Sequence, residues 1–409
     1  MSTDAAAAAD ACPVNTGRDD RKSAKFLDLK PFDGSKMSRT FAFSREILRS
    51  ADMKQGGGDA EHLVMDNPDH VSFFFLDGDA HRRRRASVAG YFTPKAIVTR
   101  YHPLMKRTMD EIVAELQSKG SGVLDELSFK LAAYVTLEVL GLTTGSDKDI
   151  RIARRMRTIL NSNKSYDRRP IPRFIREVLL GWFYKSLHAW RALEFYKKDI
   201  TPAAELRRKE PREDVISYMV KENYSMKSMI MECMTYGGAG VATTREFMVM
   251  ASWQLFDHPD LKERFLNGTE EDQFAILEEI LRLDPIAGFL YRRVTKDIPE
   301  TTGGPLKEGD LLAINLRASN SDEAVTGACP HQLDPDRAKK MKVVGPYLSF
   351  GDGPHRCPGA QVALHETRIF LDRLLRVPGI RLVKPPQVGW NWSTQGYELR
   401  GAIVACDPA

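Results

Sequence analysis

The chain has 409 residues, 28% of them charged, and a net charge of +5. That balance is too mild for a nucleic-acid binder, and no apolar run is long enough to cross a bilayer. Five scattered cysteines (Cys12, Cys233, Cys329, Cys357 and Cys406) show neither zinc-ligand nor CxxC spacing, so neither disulfides nor a metal cluster is expected.

Residues 1–23 are rich in Ala and small polar residues, without the basic start and apolar stretch of a signal peptide. They read as a disordered tail on a soluble, cytoplasmic protein. Thr93-Pro94 is an N-cap with Pro at the first helical position. It opens a helix over 96–119, with apolar residues at helical spacing and Gly120 as its stop. Further helices are expected over 124–142, 150–160, 172–207 and 213–222. A long helix follows over 226–256, then a short one over 274–283, ended by Asp284-Pro285. Strand signals are few: 289–294, 311–316 and 399–405. A mainly helical chain with small sheets is the expected class.

The most informative segment is Phe350-Gly351-Asp352-Gly353-Pro354-His355-Arg356-Cys357-Pro358-Gly359. It presents one cysteine on a glycine-punctuated loop directly before a helix. Gly351 and Gly353 permit backbone angles that other residues resist. Pro358 suits the first turn of the following helix, and a helix N-terminus beside a sulfur favours the thiolate. A lone thiolate presented this way suits a haem iron.

This loop resembles the haem-binding loop of the cytochrome P450 family. The resemblance runs from about residue 24 to the end. It implies one domain over 24–409, a triangular prism with haem b (iron protoporphyrin IX) between the long distal helix and the Cys-loop helix. It assigns Cys357 as the iron ligand, with Phe350, Gly351 and Gly359 shaping the loop. It carries His81, Arg85, Arg292 and His355 over as contacts to the haem carboxylates, His81 and Arg85 lying four apart on one helix face. Glu279-x-x-Arg282 matches the family's structural pair, with Arg337 as its third member. Leu333 stands where that later loop usually has an aromatic residue. Arg82, Arg83 and Arg84 are expected on the surface beside the sulfur, with Lys95, Arg100, Lys106 and Arg107 nearby. A positive patch there would steer an acidic electron donor.

The resemblance also places Tyr236-Gly237-Gly238-Ala239-Gly240-Val241-Ala242-Thr243-Thr244 across the oxygen side of the haem. Thr243 matches the threonine that organises water and protons, and Gly240 leaves room for dioxygen. The residue before that threonine is normally acidic, but here it is Ala242. Glu246 or ordered water would then relay protons, or the substrate would supply a hydroxyl, or the oxygen chemistry would differ. By position, substrate-contacting segments are 59–75, 171–190, 234–244, 286–290 and 392–397. Phe73, Phe75, Ala239, Val241, Ile286 and Phe289 are the candidate pocket residues.

These features imply a monooxygenase that inserts one oxygen atom of O2 into a lipophilic small molecule. Its electrons would come from a ferredoxin or flavodoxin-type donor with its reductase, since the sequence has no flavin motif. Two rivals follow: a peroxide-driven or nitric-oxide-reducing haem-thiolate enzyme, favoured by Ala242, and a non-catalytic haem-thiolate binding or sensing protein.

Overall fold

The computed structural model describes residues 19–24, 30–57, 67, 70–143, 148–161, 181–391 and 395–407. Helices α1 (Phe41–Arg49) and α2 (Gly78–Val88) come first. A nearly continuous run follows: α3 (Pro94–Ala96), a π-helical turn over Ile97–Tyr101, and α4 (His102–Lys119). Thr93 caps this run, its Oγ1 accepting the Ala96 N–H at 3.2 Å. Then come α5 (Leu124–Leu140), α6 (Lys148–Asn161), α7 (Gly181–Phe195), α8 (Thr201–Lys209) and α9 (Val215–Lys221).

The long helix expected over 226–256 is α10 (Met226–Tyr236), a π segment over Gly237–Ala242, and α11 (Thr243–Asp257). It continues into α12 (Pro259–Asn267) and α13 (Glu270–Leu283). α13 starts a turn earlier than its apolar spacing suggests. Thr269 and Asp272 form a reciprocal capping box there, with Asp where the usual pattern has Glu or Gln. Three short helices, α14 (Leu316–Asn320), α15 (Glu323–Thr326) and α16 (Arg337–Met341), lead to α17 (Ala360–Leu375).

The strands are short: β1 (Lys36–Ser38), β2 (Met53–Gln55), β3 (Ser121–Val123), β4 (Phe289–Val294), β5 (Leu311–Asn315), β6 (Arg381–Lys384), β7 (Gln387–Asn391), β8 (Gly396–Arg400) and β9 (Ile403–Ala405). They form a four-stranded sheet ordered β1-β5-β4-β2, a three-stranded sheet ordered β3-β9-β6, and the pair β7-β8. The single strand expected over 399–405 is two strands in different sheets, separated at Gly401, whose φ is +72°. No helix among the described residues is long and apolar enough to cross a membrane.

α11 runs through the middle of the largest core, packed by α5 on one side and α17 on another. Phe247, Met248, Val249, Met250, Ala251 and Leu255 are all buried along it. Its buried polar residues, Arg245, Glu246 and Gln254, are hydrogen-bonded within the protein, so this helix is fixed in the interior before any ligand is considered. Of the tail expected over 1–23, residues 19–23 are anchored. Asp20 accepts the Leu333 N–H at 2.9 Å, and the Ser23 N–H donates to Asp284 at 3.1 Å. The cysteine reading also changes: Cys329 is disulfide-bonded, while Cys233, Cys357 and Cys406 are free.

The cysteine-bearing loop is held from behind by buried charge. Arg282 grips Glu279 with two hydrogen bonds, at 2.7 and 2.8 Å, and Arg337 reaches the same carboxylate at 3.1 Å. The spare N–H groups of Arg282 go to the carbonyls of Asn320 and Pro330. Those of Arg337 go to Thr326, Ala328, Cys329 and Gln332. Both guanidinium groups therefore trade carboxylate for backbone contacts that close the 320–337 segment over α13. Asn320 then accepts the Leu348 N–H at 3.0 Å and donates to Ser349 Oγ at 2.8 Å, while Ser349 Oγ donates to the Leu281 carbonyl at 2.7 Å. The chain from Glu279 to the residue before Phe350 is thus continuous.

Removing one partner of a buried charge network leaves the others desolvated and unmatched. Glu279→Ala should destabilise the protein by about 3–5 kcal/mol, read as a fall in the urea midpoint. A midpoint within error of the parent would show that the two arginines find other compensation.

Candidate active site

The loop before α17 is a closed turn. The Gly351 N–H donates to the Leu348 carbonyl at 2.8 Å and the Cys357 N–H to the Phe350 carbonyl at 2.8 Å. Gly353 has φ +65°, and a side chain there would lie 2.4 Å from the Leu48 carbonyl oxygen, so the turn seats directly on the end of α1. Asp352 secures the same contact by accepting from Arg45 at 3.0 Å and Arg49 at 2.9 Å. Pro358 is not in the first turn of α17; Gly359 is the N-cap, and Pro358 precedes it.

Cys357 keeps exposed surface although protein closely surrounds its sulfur. Burial pushes its pKa up, against the Gly359 and Ala360 N–H groups and the charges of Arg85 and Arg356, which pull it down. The helix N-terminus therefore acts in the expected direction but does not by itself yield a thiolate. Coordination to a cation would complete the deprotonation.

The residues expected at the haem carboxylates are gathered beside this loop. The rings of His81 and His355 lie 4.0 Å apart. Arg85 donates to the Arg356 carbonyl at 2.6 Å. Arg292, on β4, is 5% exposed, and its guanidinium meets Gln55 and its neighbour's carbonyl rather than a carboxylate. Burial pushes its pKa down to about 10. His81 is buried with Nε2 unpartnered, and burial together with the His355 and Arg85 charges pushes its pKa down to about 4. Three cationic or potentially cationic groups are thus desolvated without an anion of their own. A ligand carrying two carboxylates would relieve that strain, so the residues present fit haem. His355 differs from expectation in one respect: its Nε2 already pairs with Asp77 at 3.0 Å.

In the long helix, the π segment Gly237–Ala242 contains Ala239, which is exposed in the middle of an otherwise packed helix. Thr243 is half-buried, and its Oγ1 donates to the Ala239 carbonyl at 2.5 Å. Gly240 is explained by a helix contact. A Cβ there would come within 2.5 Å of Thr136 Oγ1 on α5, so its small size is needed for packing.

Several expected roles change. Glu246 is no free proton relay: Arg245, Arg400 and the Leu399 N–H all bind its carboxylate, and it is buried under β8. Arg84 is not on the surface with Arg82 and Arg83. It is 5% exposed, pairs with Glu232 at 2.7 Å, and lies over the rings of Tyr218 and Tyr224. Glu232 is the one charge in the run Met229-Ile230-Met231-Glu232-Cys233-Met234. An isolated carboxylate in an apolar helix implies a buried partner, and that signal was available. Phe73, Val241 and Ile286 are packed in the main core and Phe289 against Trp390, so of the candidate pocket residues only Ala239 and Phe75 retain appreciable exposed surface. Much of 59–75, 171–190 and 392–397 lies outside the described residues.

The cytochrome P450 family model matches residues 274–377, a span that includes Glu279, Arg282, Arg337 and Cys357. Nocardicin C N-oxygenase of Nocardia uniformis subsp. tsuyamanensis is 26% identical over 341 residues, covering 81% of this chain and 78% of that protein. The biotin biosynthesis cytochrome P450 of Bacillus subtilis (strain 168) is 25% identical, covering 75% and 73%. The chain is thus similar to cytochromes P450, over residues 274–377 by the family model and over most of its length by these relatives. Solved structures agree on the fold: CalO2 superposes with a TM-score of 0.74 at 23% identity, covering 93% of this chain and 92% of that one. P450BioI, in complex with an acyl carrier protein ligated to hexadec-9Z-enoic acid, superposes with a TM-score of 0.71 at 21% identity, covering 91% and 92%. The likeness is to haem b enzymes of the monooxygenase type.

Gly353 is the tightest backbone approach in the loop, and its φ disfavours any side chain. Gly353→Ala should cost about 1–3 kcal/mol and lower haem occupancy, read as the ratio of Soret to protein absorbance in purified protein. An unchanged ratio would show that the loop can lift off α1 without disturbing the cysteine.

Proposed function

We propose that Cys357 holds the haem iron through its sulfur, and that this cytochrome P450 hydroxylates a lipophilic small molecule with electrons from a ferredoxin or flavodoxin-type donor. The observation that carries the reading is a free cysteine in a loop clamped to α1 and tied back to α13, with desolvated cations beside it. Arg85, Arg292 and His81 would hold the haem carboxylates. When bound, the haem supplies dioxygen activation, with the sulfur donating electron density that favours O–O cleavage. The overall balance is O2 plus a C–H substrate plus two electrons and two protons, giving the alcohol and one water.

The chain's own residues orient and exclude. The packed α11 keeps bulk water from the distal side, and Ala239 and Gly240 leave room beside it. Thr243 Oγ1 holds a proton at the Ala239 carbonyl and can turn it toward an incoming acceptor. Arg82, Arg83, Lys95, Lys106, Arg107 and Arg356 are exposed around α2, α4 and the cysteine loop. Such a face suits an acidic electron donor. Ala242 keeps one further reading open, in which peroxide, or nitric oxide with a nicotinamide, replaces the electron-transfer chain. Product formation with peroxide alone, or with NADH and nitric oxide alone, set against the full chain, separates these.

Three outcomes test the reading. Reduced, carbon-monoxide-treated protein should show the red-shifted Soret band of sulfur-bound haem, and Cys357→Ala should lose it; retention of the band in the variant removes Cys357 from the iron. Thr243→Ala should raise peroxide released per electron pair severalfold, measured against product once a substrate is found by spin-state screening; unchanged coupling would reject the hydroxyl's role. Arg83→Glu with Lys106→Glu should slow reduction by an acidic ferredoxin on the order of tenfold at low ionic strength, and salt should narrow the difference. A rate independent of both charge and salt would place the donor elsewhere.

A further inference from the structure

Proton supply is the gap in this site: position 242 has no carboxylate, and Glu246 is fully engaged. Among the described residues, two buried carboxylates keep an oxygen without a hydrogen-bond partner, Glu232 and Glu366. Glu366 sits on α17 with nothing but burial acting on it. Glu232 is different. It lies on the distal helix itself, fully buried, in a cluster of orphaned polar atoms: Glu232 Oε2, Arg84 Nε, Ser72 Oγ, Tyr224 OH and Tyr236 OH. Ser72 lies beside Glu232, Tyr218 beside Tyr224, and Glu232 and Arg84 act on both Tyr224 and Tyr236. Buried polar atoms left dry forfeit their hydration. Buried water, with two to four polar partners per molecule, is the ordinary remedy.

The cluster sits at the end of α10, next to the π segment that carries Ala239. Glu232 and Tyr236, four apart, share one face of α10. Tyr236 is the last residue before the π segment, and Gly237 and Gly238 after it carry no side chain. Ala239 is exposed, and its carbonyl accepts from Thr243. The charge pair with Arg84 keeps Glu232 an acceptor that orients water, while the hydroxyls of Tyr236, Tyr224 and Ser72 both give and take hydrogen bonds.

We propose that Glu232, Arg84, Ser72, Tyr224 and Tyr236 enclose a buried water cluster that supplies protons to Thr243, in place of the carboxylate absent at position 242. Each proton leaves a cluster water toward Thr243 and is replaced from solvent by the same route, so Glu232 ends each turnover in its starting state. Glu232 and Tyr236 are positioning residues: they hold water rather than touch the reacting atoms. The proposal rests on the haem-thiolate reading of Cys357.

The clean variant is Tyr236→Phe, since it deletes an atom that no protein group touches and leaves the Arg84–Glu232 pair intact. Three readouts on the haem-loaded protein decide. A crystal structure should show ordered water on Glu232 Oε2 and Tyr236 OH, and Tyr236→Phe should lower the melting temperature. A dry cluster, with Tyr236→Phe raising the melting temperature because an orphaned hydroxyl has been removed, overturns the proposal. Dioxygen consumption driven by NADPH through a plant-type ferredoxin and its reductase should slow on the order of tenfold in Tyr236→Phe, with a larger solvent deuterium isotope effect. Water present but consumption and isotope effect unchanged also overturns it, since the water then serves packing alone. The carbon-monoxide band separates the two readings: its absence from the parent protein defeats the haem-thiolate assignment, whereas its presence in both proteins leaves that assignment standing whatever the cluster does.

Discussion

Everything at this site depends on one carboxylate shared by two arginines deep in the protein. Glu279 is 2% exposed and Arg282 is fully buried. Neither would be stable in that position without the other and without Arg337. The network spends its remaining N–H groups on carbonyls of the 320–332 segment, and Asn320 passes the constraint to Leu348 and Ser349. The cysteine loop is then bounded on its other side by the Gly353 seat on α1. A sulfur held between two such anchors cannot drift with the loop, which is what a ligand to a fixed metal requires.

The distal side is organised by a different constraint. α11 is packed on all faces, so its position is not negotiable. The π segment is where the regular ladder is interrupted, and the exposed Ala239 lies inside it. π turns of this kind concentrate at functional sites. Here the extra residue lets the helix remain core on both sides while offering small side chains and one hydroxyl in between.

The sequence made the proximal side legible and the distal side only partly so. Cys357, Gly351 and Gly353 could be placed because glycine, proline and cysteine in that order leave few conformations to choose from. Glu279 and Arg282 were recognisable through their spacing on one helix face. Arg84 was not, because it stands in a run of four arginines where composition cannot say which one turns inward; that depends on Glu232, 148 residues away in sequence. Glu246 misled for a similar reason: its partners Leu399 and Arg400 come from the last sheet. The short strands β1, β2, β3, β6 and β7 were missed because three to five residues carry little periodicity, and their existence is decided by partners elsewhere. The break at Gly401 shows the converse, a local signal too weak to separate two strands that belong to different sheets.

The buried Arg292, with His81 beside it, has a bearing on how the polypeptide lives in a cell. Desolvated cations without an anion are unfavourable, and an anionic prosthetic group held by them would bind only the folded chain. Folding and cofactor uptake are therefore linked by mass action. The amount of lasting protein should track porphyrin supply, with unloaded copies being the ones that proteases clear first.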